Sequence, residues 1–223
     1  MAVELDESNK LRLKDRVRVI YIVDIDSPFL NTALEMAILN VRYGIPCTFN
    51  PRLYQFEDDE MNAIIMKILR ARKQEIGYQY EELADAKNDL AAARSAFADN
   101  IRYLSKNYTI NTLMAHGRTG EGCHTADLFK DNDKYRPALW QRFGLRLKAD
   151  FYYFITTIEG GIYYFNESTR FFAEEYVSTL QCLKPGDIAI MLHHSEYLRK
   201  GNRNRPNPKI FKGLDGVAFL FPK

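Results

Sequence analysis

Val17-Arg18-Val19-Ile20-Tyr21-Ile22-Val23-Asp24-Ile25-Asp26-Ser27-Pro28 decides the fold. Its first nine residues are short, apolar and β-branched, the signature of a buried strand. Asp24 and Asp26 stand two apart, so a strand points both to one side. Two carboxylates at the end of a buried strand are costly unless a metal, hydrogen bonds or chemistry occupies them. Ser27 and Pro28 supply a helix N-cap and a first-turn proline. The acidic pair therefore sits at a strand-to-helix junction, where α/β proteins place their sites.

Outward from this point, strands and helices alternate. Phe29, Leu30, Ala33, Leu34, Ala37, Ile38 and Val41 recur at helical spacing until Gly44. Ile45 to Asn50 reads as a second strand and Glu57 to Arg72 as a second helix. Glu75 to Tyr80 is a third strand, and one long helix is predicted over about Glu82 to Lys106. Thr109 to Ala115 is a fourth strand, followed by a polar stretch to Arg146 read as a loop with one short helix. Strands are expected at Phe151 to Thr157, Gly161 to Phe165, Asp187 to Leu192 and Val217 to Phe221, with a helix at Thr169 to Leu180. This order implies a largely parallel sheet covered by helices, closed or open.

The chain has 223 residues, 46% hydrophobic and 27% charged, enough for one core. We expect one domain over 1–223, with a 1–16 extension and a basic loop plus terminal strand over 198–223. A net charge of +2 argues against nucleic-acid binding by the whole surface. Cys47, Cys123 and Cys182 form no C-x-x-C, which argues against a zinc ribbon or disulfide framework and fits a reducing compartment. No signal peptide and no apolar run of ~20 residues is visible, so a cytoplasmic location without membrane contact is the expectation.

Polar groups collect at strand ends. Asp24 and Asp26 follow the first strand, Gln79 and Glu81 the third, His116 the fourth, and His193 and His194 the last long one. Parallel strands bring such ends to one face. Asp with His is the ligand set of a catalytic divalent metal such as zinc, which acidifies a bound water while a second carboxylate takes its proton. Taken singly, each residue also has a structural reading as a cap or a hydrogen-bonded histidine.

The segments Val23 to Ala37 and Tyr43 to Phe49 resemble the opening of the polysaccharide deacetylases, the NodB-homology family of carbohydrate esterases. Gln74 to Leu83, Ala115 to Gly117, Tyr163 to Phe171 and Leu192 to Tyr197 are similar to later motifs of a divergent branch associated with bacterial surface-polysaccharide loci. The resemblance implies a distorted (β/α) barrel of about seven mainly parallel strands. It also implies metal-dependent removal of acetyl groups from N-acetylated sugars or a polysaccharide precursor. By position, Asp24 is the general base, His193 the general acid and Arg170 the residue orienting a carboxylate. Asp26, His116 and Gln79 take the metal positions, for Zn2+ or another divalent ion. Gln79 stands where the family carries histidine, and a neutral amide is the weaker zinc ligand. Asn166 stands for an expected aspartate, and His194 and Tyr197 for a proline and a tryptophan. The alternative is a metal-free descendant that binds a glycan or protein partner.

Other features carry less. Arg199, Lys200, Arg203, Arg205, Lys209 and Lys212 form a basic loop suited to an anionic glycan, a nucleotide-sugar phosphate or nucleic acid, or simply to water. Tyr152, Tyr153, Tyr163 and Tyr164 suit sugar stacking or a sheet core. Gly117 to Gly122 is glycine-rich but lacks the lysine and spacing of a phosphate loop.

Overall fold

The computed structural model describes residues 17–26, 30–56, 60–117, 124–132, 149–150, 162–166, 183–184, 188–194 and 217–220. The apolar opening run forms β1 (Val17–Ile25). It is followed by α1 (Asn31–Arg42), β2 (Thr48–Pro51), α2 (Glu60–Ala71), β3 (Glu75–Ile76) and β4 (Tyr78–Tyr80). Next come α3 (Glu82–Asp85), α4 (Leu90–Leu104) and β5 (Thr112–Ala115). The last strands are β6 (Ala149–Asp150), β7 (Ile162–Asn166), β8 (Ile188–His194) and β9 (Val217–Leu220). Short 3-10 turns occupy Leu53–Gln55 and Thr125–Asn132.

Every described strand pairing is parallel. β1 is the hub. One edge pairs with β8 from Arg18 to Asp24; the other is shared by β9, along Val17 to Ile20, and β2, along Ile22 to Ile25. The sheet runs β3-β2-β1-β8-β7 with β9 on β1, and a second sheet runs β4-β5-β6. The expected parallel α/β architecture is present; the described strands form two sheets, and closure into one seven-stranded ring is not among their pairings.

The predicted third strand breaks at Gly77, the junction between the two sheets. Its N–H still donates to the Phe49 carbonyl at 2.8 Å. A Cβ on Gly77 would lie 2.1 Å from Asn50 Oδ1 and 2.9 Å from the Thr112 carbonyl, so only glycine fits without displacement. The predicted long helix also divides. Lys87 and Asn88 adopt positive φ of 49° and 69°, and Asp89 caps α4 by accepting from the Ala91 and Ala92 N–H groups. Along α1 and the Leu30 that precedes it, the buried stripe is Leu30, Ala33, Met36, Ala37 and Asn40, whereas Ile38, expected inside, is exposed. The helix axis is thus rotated by about one position from the expected apolar stripe.

Strand parity builds the site. Val19, Tyr21, Val23 and Ile25 pack into the helix-covered core with Phe49, Tyr78, Tyr80, Leu113 and Ala115. Alternate residues take the other face, among them Asp24, Asp26, Asn50, Gln79 and Thr112. Tyr80, Phe97 and Phe129 meet edge to face at centroid distances of 5.2–5.7 Å. This cluster pins the back of β4 and so directs Gln79 to the front. No described helix is long and apolar enough to cross a membrane. The predicted strand at 151–157 and helix at 169–180 lie outside the described residues, as does the basic loop 199–212.

Candidate functional site

Asp26, Gln79 and His116 meet at the ends of β1, β4 and β5. Gln79 Nε2 donates to Asp26 Oδ1 at 3.3 Å and lies 3.1 Å from His116 Nδ1. His116 Nδ1 is 3.4 Å from Asp26 Oδ1, closing the triangle. Gln79 Oε1 is buried and has no hydrogen-bond partner.

Asp24 is only 2% exposed. Asn50, beside it on β2 and wholly buried, donates from Nδ2 to Asp24 Oδ1 at 3.1 Å. That bond offsets part of the cost of burying the carboxylate. The His116 backbone is fixed as well. Its N–H donates to the Tyr80 carbonyl at 2.9 Å, and the buried Thr125 hydroxyl lies against the His116 and Gly117 carbonyls.

A charged rim borders this triangle. Arg52, just past β2, grips Glu81, just past β4, through Nε at 2.9 Å and through Nη2. Burial works to lower the Arg52 pKa, but the Glu81 hydrogen bond and charge outweigh it and hold the guanidinium above its ordinary value. The Arg52 guanidinium lies 5.1 Å from the centroid of the Tyr54 ring. The Tyr54 hydroxyl donates to the Asp26 carbonyl at 3.4 Å, and 38% of Tyr54 is exposed. Burial and then the Glu81 charge raise the Asp85 carboxyl, while Arg52 and His116 oppose them. Behind the rim, burial raises the Glu82 carboxyl, opposed by hydrogen bonds from Tyr78 (2.6 Å) and Asn100 (2.9 Å).

Of the residues singled out from the sequence, Asp24, Asp26, Gln79 and His116 share this face. The histidines expected just past the last long strand lie within it: β8 continues to His194. Register sets His193 against Val23 and His194 against Asp24. The side chains of both histidines, and the whole of Arg170, lie outside the described residues. Asn50, Arg52, Tyr54, Asp85 and Thr125 were not anticipated. The legible signal for Asn50 and Arg52 was their place at the end of a strand parallel to β1.

The donor set was weighed against a zinc ion. Asp26 and His116 supply ordinary ligands. The third inward atom is an amide N–H, which cannot ligate a cation, and the ligating oxygen of Gln79 is the other, unpartnered one. Among the described residues, no group of three or more His, Cys, Asp or Glu is arranged to hold a metal. In this arrangement the set does not fit zinc.

No protein-family model matches the sequence. A comparison with curated proteins finds no match either. Solved structures do match. A family 4 carbohydrate esterase from Streptomyces lividans, in complex with acetate, superposes with a TM-score of 0.54 at 12% identity, covering 92% of this chain and 98% of that one. The peptidoglycan deacetylase PdaC from Bacillus subtilis gives 0.53 at 12% identity, covering 93% and 89%. A mutant of BA3943 from Bacillus anthracis, a family 4 pseudoenzyme with restored enzymatic activity, gives 0.50 at 13% identity. This chain covers 65% of that pseudoenzyme's length, less than two thirds of it. The chain therefore has a divergent NodB-type deacetylase fold.

Proposed function

We propose that this chain is a non-hydrolytic, sugar-binding domain built on the deacetylase fold. The carrying observation is Gln79 Nε2, which donates to Asp26 and faces His116 where a cation would otherwise bridge them. Metal-dependent hydrolysis draws on a Lewis acid that brings the pKa of its bound water to about 7. An amide N–H offers no such acid. The fold admits both readings, since BA3943, described as a family 4 pseudoenzyme, shares it with the esterase and the deacetylase. The carbohydrate assignment rests on the carbohydrate esterase and peptidoglycan deacetylase among the similar structures. Tyr54, partly exposed, with its hydroxyl on the Asp26 backbone carbonyl and Arg52 over one side of its ring, offers its remaining surface to stack on a pyranose ring.

Zinc titration of the purified chain, followed by calorimetry, tests this reading. The wild type is expected to show no stoichiometric binding at micromolar zinc, and Gln79→His to gain a site that Asp26→Ala removes. An N-acetylglucosamine tetramer is expected to bind the wild type without releasing acetate. Tight zinc binding and acetate release by the wild type would overturn the proposal.

One observation favours a second reading, hydrolysis of an acetamido group with a divalent metal. Asp24 is retained as a buried carboxylate oriented by Asn50, as a general base requires. In that reading Asp24 takes a proton, His193 or its neighbour His194 returns one to the amine, and Arg170 orients a carboxylate. The zinc titration separates the two.

A further inference from the structure

We infer that the groove between α2 and the end of α4 binds a carboxylate-bearing sugar, a uronate unit of an acidic glycan. The inference goes beyond the reading of the strand-end site and does not rest on it. Helices of a parallel α/β fold run opposite to their strands, so the last turns of α2 and α4 lie at the edge of the sheets away from Asp26. The two helices leave a cavity of about 480 Å3, a size that suits a small ligand.

One wall is a single face of α2. Glu60, Lys67 and Arg70 stand seven and three residues apart and all line the cavity. Lys67 and Arg70 form no ion pair among the described residues. Arg70 Nη1 donates to the Asn107 carbonyl at 3.3 Å, which braces the guanidinium against the end of α4 and leaves its other N–H groups for an incoming acceptor. Exposed Arg72, Lys73 and Lys106 add positive charge around the same end. Glu60 lies about 15 Å along the helix from Arg70, too far to neutralise it.

A last-turn arginine complements the helix dipole. The opposite wall adds what that role does not require. Tyr108 is held edge to face by Phe56 at 5.1 Å between centroids, and Tyr103 is 41% exposed. Burial raises the pKa of the Tyr108 hydroxyl, Arg70 opposing and Tyr103 adding to it, so the group remains an O–H donor within electrostatic reach of both. The hydroxyls of Tyr103 and Tyr108 have no hydrogen-bond partner among the described residues. A guanidinium and two O–H donors beside an aromatic wall match a carboxylate joined to a hydroxylated ring. An apolar helix laid in the groove would leave those donors unpaired, and a bare anion would leave the aromatic surface uncovered.

The test is calorimetry of the full chain with three probes: trigalacturonate, its methyl ester, which keeps the skeleton and loses the charge, and citrate, an anion without a ring. Trigalacturonate is expected to bind about 10-fold more tightly than the ester, the scale of one charge-assisted hydrogen bond. Arg70→Gln is expected to remove that difference and Tyr103→Ala to weaken both sugars; both side chains are exposed, so neither substitution opens the core. Arg102→Gln, on α4 but paired with Asp99, is expected to keep wild-type binding. An equal loss in Arg102→Gln would assign the binding to diffuse charge and overturn the inference. Displacement of trigalacturonate by an N-acetylglucosamine tetramer would put the ligand in the strand-end site and overturn it too. Equal binding of the ester, equal competition by citrate, wild-type affinity in Arg70→Gln and Tyr103→Ala, or no binding of trigalacturonate each overturns it as well, and leaves the proposed function standing.

Discussion

Asn50 donates to Asp24 across 3.1 Å between neighbouring parallel strands, and the space Asn50 needs exists because residue 77 has no side chain. One glycine at the junction of two sheets thus sets the position of a buried carboxylate some distance away in the chain. A methyl group on Gly77 would displace Asn50 or part β3 from β4. Gly77→Ala is expected to lower stability by about 1–3 kcal/mol, the usual cost of overpacking. Urea unfolding monitored by circular dichroism measures this, and an unchanged midpoint would remove the steric argument.

The Arg52–Glu81 clasp joins the end of β2 to the end of β4 and is mostly shielded from water. Removing either partner leaves the other charge half-buried. Arg52→Ala and Glu81→Ala are each expected to cost about 1–3 kcal/mol, and the double variant less than their sum. A double-mutant cycle in urea gives the coupling directly. Strict additivity would show that the pair makes no net contribution.

Glu82 gives a pH signature. Burial raises its carboxyl in the folded state above the ordinary glutamate value of 4.5. The unfolded chain therefore loses this proton first as pH rises. Stability from this group is full below about 4.5 and is lost as pH climbs through the folded value. The advantage of the wild type over Glu82→Gln is expected to shrink from pH 4 to pH 7, read as the difference in urea midpoints at the two ends. An advantage that grows with pH would mean the folded carboxyl is depressed instead.

Asp89 caps α4 through two backbone N–H groups at 3.0 Å. Asp89→Ala is expected to cost about 1 kcal/mol, and Asp89→Asn much less. Equal losses in both variants would assign the effect to charge and not to the cap.

Much of this was legible in the sequence because it follows from periodicity. The β1 run, its two same-side aspartates and the strand-end places of Gln79 and His116 depend on alternation alone, and the structure brings those four residues to one face. Boundaries were less legible. The break at Gly77 depends on Asn50, a residue 27 positions earlier that β2 delivers to the same spot, so no local pattern announces it. The division of the long helix turns on positive φ at Lys87 and Asn88, where lysine gives no warning. Ile38 was placed inside by its hydrophobicity, but a one-position rotation of α1 buries Asn40 in its stead. The rim was missed for a similar reason. Arg52 and Glu81 read singly as surface charges, and only the pairing across two strands gives them a role.

β1 draws its neighbours from both ends of the chain. β2 follows it closely, whereas β8 and β9 arrive about 170 and 200 residues later. During synthesis this apolar strand emerges long before β8 and β9, and its edges wait for them to be covered. Until then its bare backbone is open to mispairing.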